Sequence, residues 1–315
     1  MKRLRSIAAG TVLSAAAVTA AAACGIYFYG FYSPRGQQND DHHILIKLKT
    51  QEQYDNTIRL IDALKAKPYE KVSIKSFDGL RLSGRYYHAK DGAPLAILCH
   101  GYRGTPSRDF CGGANICFNM GMNVLMIEER AHCTSQGHTI TFGVKERYDV
   151  LSWVDYCVER FGPQVKILLA GISMGAGTVL MASALGLPEN VRGILADCPF
   201  TSPADIVYSV GTAQDLPMKL AYPLTYLAAE VFGGFRLDAA DAAEAVRTAK
   251  VPVLLIHGEE DKLVPFEMGR RIAAANPALI EFHSFPGAGH GLSYVEDTER
   301  YEKLVNAFCD RIFAE

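Results

Sequence analysis

The sequence predicts an α/β fold: an eight-stranded, mostly parallel sheet with helices on both faces and a helical cap inserted after the sixth strand. Three observations carry that prediction. Asp78-Gly79, a strong hairpin turn, opens a series of short apolar segments that later alternate with helical patterns. A strand-like run, a Gly-flanked turn and a helix-compatible run follow one another without a break between Val165 and Ala182. More than fifty residues without strand character then separate Ala196 from Val251.

The elements follow in order. Residues 35–69 read as a linker. Within it Tyr54, Ile58, Ile61 and Leu64 recur at helical spacing, and Pro68 ends the helix they predict. The domain proper spans 70–315. Val72 to Phe77 and Leu80 to Tyr87 flank the Asp78-Gly79 turn as its two strands. Leu95 to Cys99, Asn123 to Ile127, Val165 to Ala170, Val191 to Ala196, Val253 to His257 and Leu279 to Phe285 supply the other six. Helical faces lie between the later ones, as with Val144, Tyr148, Leu151, Val154 and Val158. Tyr301, Leu304, Val305, Phe308 and Ile312 make a last face at the C-terminus. A hairpin followed by alternating helix and strand implies parallel pairing, because each crossover must return the chain to the same end of the sheet. The interruption after the sixth strand holds apolar helical segments such as Met218 to Phe232. Placed there, at about 200–250, they would cover the carboxyl ends of the strands.

Residues 1–34 are of another kind. Lys2, Arg3 and Arg5 precede a stretch from Ser6 to Pro34 without a charge. As a helix, Ile7 to Tyr32 would reach ~39 Å, more than the ~30 Å of a hydrocarbon layer. Ile26 to Tyr32 is aromatic, which suits a membrane interface. The segment is therefore expected to be a membrane anchor or signal segment. The leading expectation is a single-pass anchor with the basic end in the cytosol and the rest extracytoplasmic. A signal peptide cleaved at Ala20 to Ala23, followed by secretion, lipid attachment at Cys24, and a buried globular helix are the alternatives. Arg35, Lys47 and Lys49 on the far flank leave the charge bias small.

Composition excludes some partners. The chain has 315 residues, 49% hydrophobic and 21% charged, with net charge −2, so it can bury a large core and has no basic patch signature for nucleic acid. The eight cysteines show no CxxC and no regular spacing, as expected of buried thiols acting as small hydrophobes; Cys111 and Cys117 are the one pair considered for a bridge. His42-His43 is too isolated for a metal site. No cofactor or metal is expected, and the oligomeric state is not legible.

Chemistry concentrates in Gly171-Ile172-Ser173-Met174-Gly175, a G-x-S-x-G between strand and helix. That context defines a nucleophile elbow: the glycines let strand and helix approach closely, and the serine hydroxyl stands exposed above a helix N-terminus. A serine hydroxyl needs a base, and the base an orienting acid. Asp261 follows the seventh strand in His257-Gly258-Glu259-Glu260-Asp261-Lys262-Leu263-Val264-Pro265, and His290 lies in a Gly-rich loop after the eighth. Asp197, after the sixth strand, is the rival acid. The oxyanion hole would draw on the backbone N–H groups of Met174 and Tyr102, the second from the loop His100-Gly101-Tyr102-Arg103-Gly104. In that loop His100 would be a brace and Arg103 a solvated charge or a contact for an anionic substrate.

On these residues, and in the order Ser173, Asp261, His290, the chain resembles the α/β-hydrolase superfamily in its serine-aminopeptidase and monoacylglycerol-lipase-like branch. It is similar to membrane-anchored or exported bacterial hydrolases of unassigned substrate. The resemblance covers about 70–315 and includes Glu129-Arg130-Ala131-His132-Cys133-Thr134-Ser135-Gln136-Gly137, close to a D-x-R-x-H-G-x-S-x-G loop. Glutamate and cysteine here replace aspartate and glycine around Arg130-Ala131-His132. Ala196-Asp197-Cys198-Pro199-Phe200 fits the segment leading into the cap. The resemblance implies a carboxylesterase or lipase-like serine hydrolase acting on a small-molecule ester or acyl substrate. Peptidase or amidase action, and thioesterase or acyltransferase action, are alternatives on the same residues. A non-catalytic binding module is the alternative from outside the enzyme class.

Overall fold

Apolar runs bounded by turn residues become strands because their side chains can be buried on both faces of a sheet covered by helices. In the computed structural model residues 2–34 and 48–314 are described, residues 2–15 by their backbone only. The stretch 35–47, with Arg35, Lys47 and His42-His43, lies outside the described residues. The chain begins with helix α1 (Lys2–Gly30) and helix α2 (Gln51–Ala66), followed by strands β1 (Glu70–Lys75), β2 (Arg81–Tyr87) and β3 (Leu95–Cys99). Helices α3 (Pro106–Asp109) and α4 (Cys111–Asn119) lead to β4 (Asn123–Glu128), α5 (Glu146–Phe161) and β5 (Ile167–Ile172). Then come α6 (Met174–Ala182), β6 (Val191–Asp197), α7 (Pro203–Ala213), α8 (Met218–Leu227) and α9 (Ala242–Ala245). Strand β7 (Val253–Gly258), α10 (Phe266–Ala275), β8 (Ile280–Phe285), α11 (Ser293–Glu296) and α12 (Thr298–Phe313) complete it.

The eight strands form one sheet in the order β1-β2-β4-β3-β5-β6-β7-β8. Strand β2 pairs antiparallel with β1 and β4, and every pairing from β4 onward is parallel. Every residue of β3, β4 and β7 is buried, the signature of strands covered on both sides. One apolar cluster lies on each face, built around Trp153, Val179 and Phe200 on one side and Ile116, Phe285 and Phe308 on the other.

The eight predicted strands are all present, with ends displaced by one or two residues. The largest functional consequence is at β5, which continues to Ile172 and pairs it with Asp197, so the sheet delivers the chain directly to Ser173. Helix α5 turns a different face inward from the one the spacing predicts. Val150, Trp153, Val154 and Cys157 are buried, whereas Tyr148, Leu151 and Val158 are half-buried. The large Trp153 ring sets the helix rotation. The apolar stretch Met218 to Phe232 is helical as expected, α8 passing into a π-helical turn at Ala228–Phe232. All eight cysteines are free, so the Cys111–Cys117 bridge does not form; six of them are buried.

The expected membrane anchor is corrected here. Among the described residues no helix is long and apolar enough to cross a membrane. The aromatic end of α1 has another use. Ala23, Tyr27 and Phe31, at intervals of four and so on one helix face, are buried in the main core. Tyr27 Oη hydrogen-bonds Thr139 Oγ1 at 2.8 Å, Ile140 N–H donates to Phe31 O at 2.8 Å, and Tyr32 bridges to Thr139. An aromatic helical face buries as favourably in a protein core as in lipid, and hydropathy alone does not separate the two. The membrane as a partner of residues 1–34, and with it the extracytoplasmic and secreted placements, loses its support.

Candidate active site

The turn at Ser173 is forced by close approach. Ser173 has φ 54° and ψ −113°, a left-handed backbone that an L-residue adopts only when its surroundings hold it there. They do: Ser173 N–H donates to Asp197 O at 2.8 Å, and Ser173 O accepts from Gly177 N–H at 3.0 Å. A Cβ on Gly171 would sit 2.3 Å from the Gly175 carbonyl, and one on Gly175 would sit 1.9 Å from Cys99 O. Both clashes are with backbone, which cannot swing away. Gly175→Ala is therefore expected to cost at least ~3 kcal/mol, the upper end for overpacking. Gly25→Ala, with nothing within 4 Å of the added methyl, should not destabilise. Urea unfolding of the two variants measures the contrast; equal midpoints would show that strand and helix can separate at no cost.

His290 joins the elbow to the end of β7. Its Nε2 lies 2.8 Å from Ser173 Oγ and its Nδ1 2.7 Å from Asp261 Oδ2. The other carboxylate oxygen of Asp261 accepts from the N–H groups of Leu263 and Val264 at 2.9 and 2.8 Å. His257, four residues earlier and near the end of β7, places Nε2 3.4 Å from the same carboxylate and hydrogen-bonds Val264 O at 3.0 Å. Burial alone would raise the Asp261 pKa. The hydrogen bonds from His257 and His290, the His290 charge and the Val264 N–H outweigh it and hold the carboxyl well below the usual range. It stays ionised where an imidazolium would form. Asp197 is buried below the site and bonded elsewhere, to Tyr301 Oη at 3.1 Å and Ser293 Oγ at 3.5 Å.

The loop after β3 is braced from three sides. Gly101 N–H donates to Asp109 Oδ2 at 2.8 Å. His100 donates from Nδ1 to Gly101 O at 2.9 Å and accepts the Glu129 N–H at Nε2, 3.1 Å away. His132 donates from Nδ1 to Arg130 O and accepts the Arg103 N–H at Nε2, 2.9 Å away. Burial lowers both imidazoles, His100 to about 4 and His132, which also faces His100, to about 3. They are neutral, and each ring has a fixed tautomer. Arg130 is clamped between Asp149 at 2.6 Å and Asp78 at 2.8 Å, which fixes the Arg130-Ala131-His132 turn. Arg103 lines the cavity described below, and its guanidinium donates to Tyr29 O and Tyr32 O at 2.8 and 3.1 Å.

Above Ser173 opens a cavity of about 450 Å³, within the usual size of a small-molecule site. Met174, Phe142 and Phe200 line it from the body; Val210, Leu216 and Met218 line it from the cap. Ile26 and Tyr29 of α1 and Phe31 just after it also line it, and sequence reasoning missed them by assigning that segment to a membrane. The four-residue spacing of Ala23, Tyr27 and Phe31 was the available signal. Asp109 and His257 were also missed as supports; nothing in the sequence ties Asp109 to Gly101. A metal has one place to be considered among the described residues, where Cys198, Asp261 and His290 offer ligand atoms within 4.8 Å of one another. Burial, then the Asp197 and Asp261 charges, push the Cys198 thiol far up, so on its own it is a protonated, buried small side chain.

The chain is similar to several known proteins. A Bacillus subtilis protein, YqkD, is 25% identical over 304 residues, covering 94% of this chain and 95% of its own. The zebrafish lysophosphatidylserine lipase ABHD12 is 26% identical over 223 residues, covering 64% of this chain and 54% of its own. The Pyrococcus furiosus esterase Pf2001 superposes with a TM-score of 0.66 at 22% identity, covering 89% of this chain and 97% of that one, which is a likeness of fold. The family model that matches is that of the prolyl oligopeptidase family, over residues 136–315. That span runs from the turn before α5 to the C-terminus and takes in the elbow, the loop after β7 and the loop after β8, so the chain is a hydrolase of the α/β-hydrolase superfamily and belongs to the prolyl oligopeptidase family.

Proposed function

We propose that the protein hydrolyses carboxylic esters through Ser173, His290 and Asp261 by way of an acyl-enzyme. The observation that carries the reading is the unbroken line of two hydrogen bonds, Ser173 Oγ to His290 Nε2 and His290 Nδ1 to Asp261. Ser173 Oγ attacks the ester carbonyl carbon while its proton passes to Nε2. The proton then goes to the leaving alkoxide as the C–O bond breaks. A water attacks the acyl-enzyme with the same base, releasing the acid and restoring Ser173. Asp261 accepts from Nδ1–H throughout and stabilises the imidazolium.

The negative oxygen of each tetrahedral intermediate would sit between the N–H groups of Met174, at the start of α6, and Tyr102. The neighbouring Arg103 N–H is already held by His132, which leaves Tyr102 as the donor from that loop. Each fixed donor contributes ~3 kcal/mol to such a barrier. In this reading residues 70–315 form the hydrolase domain, with the cap at about 200–250. A serine-reactive fluorophosphonate, followed by peptide mapping, tests the nucleophile. Ester, anilide and thioester substrates compared on the full chain test the reaction. The match to the prolyl oligopeptidase family favours amide hydrolysis as the second reading. Anilide turnover above ester turnover would install it in place of the first.

The apolar lining predicts the acyl preference. Each methylene buried there contributes up to ~0.8 kcal/mol, about fourfold in kcat/KM. Activity on p-nitrophenyl esters is expected to rise from acetyl to medium chain length and then level. A steady fall from acetyl onward, unaltered by Leu216→Ser or Met218→Ser, would show that the cap residues only fill space.

A further inference from the structure

The wall of the cavity that faces the cap comes from outside the hydrolase domain. Helix α1 precedes that domain in sequence, yet its last turns pack against α8 and the π-helical turn, Tyr27 lying 6.1 Å from the Phe232 ring. Its inward face places Ile26 in the lining of the cavity that contains Ser173, with Tyr29 at the rim. The end of α1 is also tied to the loop that carries Tyr102. Tyr102 Oη donates to Gly30 O at 2.9 Å, and the Arg103 guanidinium donates to Tyr29 O and Tyr32 O. The last carbonyls of a helix have no partner within it and carry the negative end of its dipole. Here a hydroxyl and a cation of the loop satisfy them. Tyr102 further stacks on Phe142, its ring 5.0 Å away, and Phe142 meets Phe31 at 5.8 Å. The helix end is therefore held in one position relative to Ser173 by polar and apolar contacts together, as a specificity wall must be.

We infer that the C-terminal turns of α1, with Ile26 as the inward residue, form the wall that sets how long an apolar acyl or alkyl group the site accepts. The inference rests on Ser173 as the nucleophile and extends that reading to the substrate class. The described residues of α1 that line the cavity are Ile26, Tyr29 and Gly30, so this wall meets a hydrocarbon chain.

The test uses the full chain and two alkyl fluorophosphonates, ethyl and decyl, whose rate of reaction with Ser173 reads the pocket independently of whether the natural bond is ester or amide. Ile26→Trp fills the wall side, and the decyl-to-ethyl rate ratio is expected to fall at least ~tenfold, the loss of about two buried methylenes. Ile26→Ala, which cannot crowd the fold, is expected to raise the same ratio. A ratio unchanged in both folded variants would overturn the inference and leave the nucleophile assignment standing. Should Ile26→Trp fail to fold, Ile26→Ala alone decides: a raised ratio supports the inference and an unchanged one overturns it. Failure of both phosphonates to label Ser173 in the unmodified protein would remove the assignment and the inference with it.

Discussion

Ser173→Ala is expected to lower kcat by about 10⁴–10⁶-fold with the fold intact. The size follows from what the hydroxyl does and what remains without it. In the proposed reaction Oγ is the atom that forms the covalent bond, and among the described residues no other hydroxyl or thiol is hydrogen-bonded to His290. The apolar cavity and the backbone N–H donors survive the change, so the residual rate should still exceed that in water by ~10³–10⁴. The variant should keep substrate binding, because alanine removes one oxygen and leaves the largely apolar lining in place. Stability should scarcely move, since alanine meets the same left-handed strain at φ 54° that serine does. Ser173→Gly should be equally inactive and more stable by about 1 kcal/mol, because glycine occupies that region without penalty. Together the two variants separate chemistry from strain: one loses activity alone, the other loses activity and gains stability. Near-wild-type turnover by Ser173→Ala would sink the assignment.

The parts legible in the sequence are those fixed by local rules. The elbow was legible because only glycine tolerates the approach of Gly175 to Cys99, and a strand and a helix must flank it. The order of strands along the chain followed from short apolar runs separated by turns. Asp261 and His290 were legible as residues past the ends of strands, although their contact spans twenty-nine positions and is made by the parallel pairing of β7 and β8. What was not legible depends on distant partners. The face of α5 was misjudged because apolar spacing counts Leu151 and Val158 as equals of Trp153, whereas the core selects by volume. The end of α1 was misjudged because Tyr27 and Phe31 look alike to lipid and to a groove formed by residues more than a hundred positions away. The buried Glu129 carboxyl shows the same limit. Neither of its oxygens has a partner, and burial followed by repulsion from Glu146 and Asp149 pushes it far above the carboxylate range. A protonated acid in that position cannot be read from a loop motif.

Asp261→Asn and Asp197→Asn are expected to part company by about three orders of magnitude in kcat. At Asp261 the surroundings dictate how an amide would sit. Two N–H groups, from Leu263 and Val264, point at one oxygen, so the asparagine carbonyl must stay there. Its NH₂ then faces His290 Nδ1, the ring must accept at that nitrogen, and its proton moves to Nε2 beside Ser173. A ring protonated there cannot take the serine proton. The loss should approach ~10⁴, as when an orienting aspartate is replaced in other such sites. Asp197 touches neither His290 nor Ser173 by side chain; its carboxyl answers Tyr301 and Ser293. Its replacement should cost about tenfold or less. Stability supplies the check that Asp197→Asn acts on a buried acid. Burial, opposed by the Tyr301 hydrogen bond, raises the Asp197 pKa from 3.8 to about 6. The native state therefore binds that proton more tightly than the unfolded chain, and the associated stability is present below pH 3.8 and lost as the pH rises through 6. Asparagine does not titrate, so the variant should gain on the wild type between pH 4 and pH 7, by up to ~3 kcal/mol from a shift of this size. Urea unfolding at the two pH values measures the gain, and ester kinetics at pH 7 rank the two aspartates. If Asp197→Asn proves the more crippled while both proteins remain folded, the acid of this site is Asp197 and the hydrogen bond from His290 to Asp261 is structural.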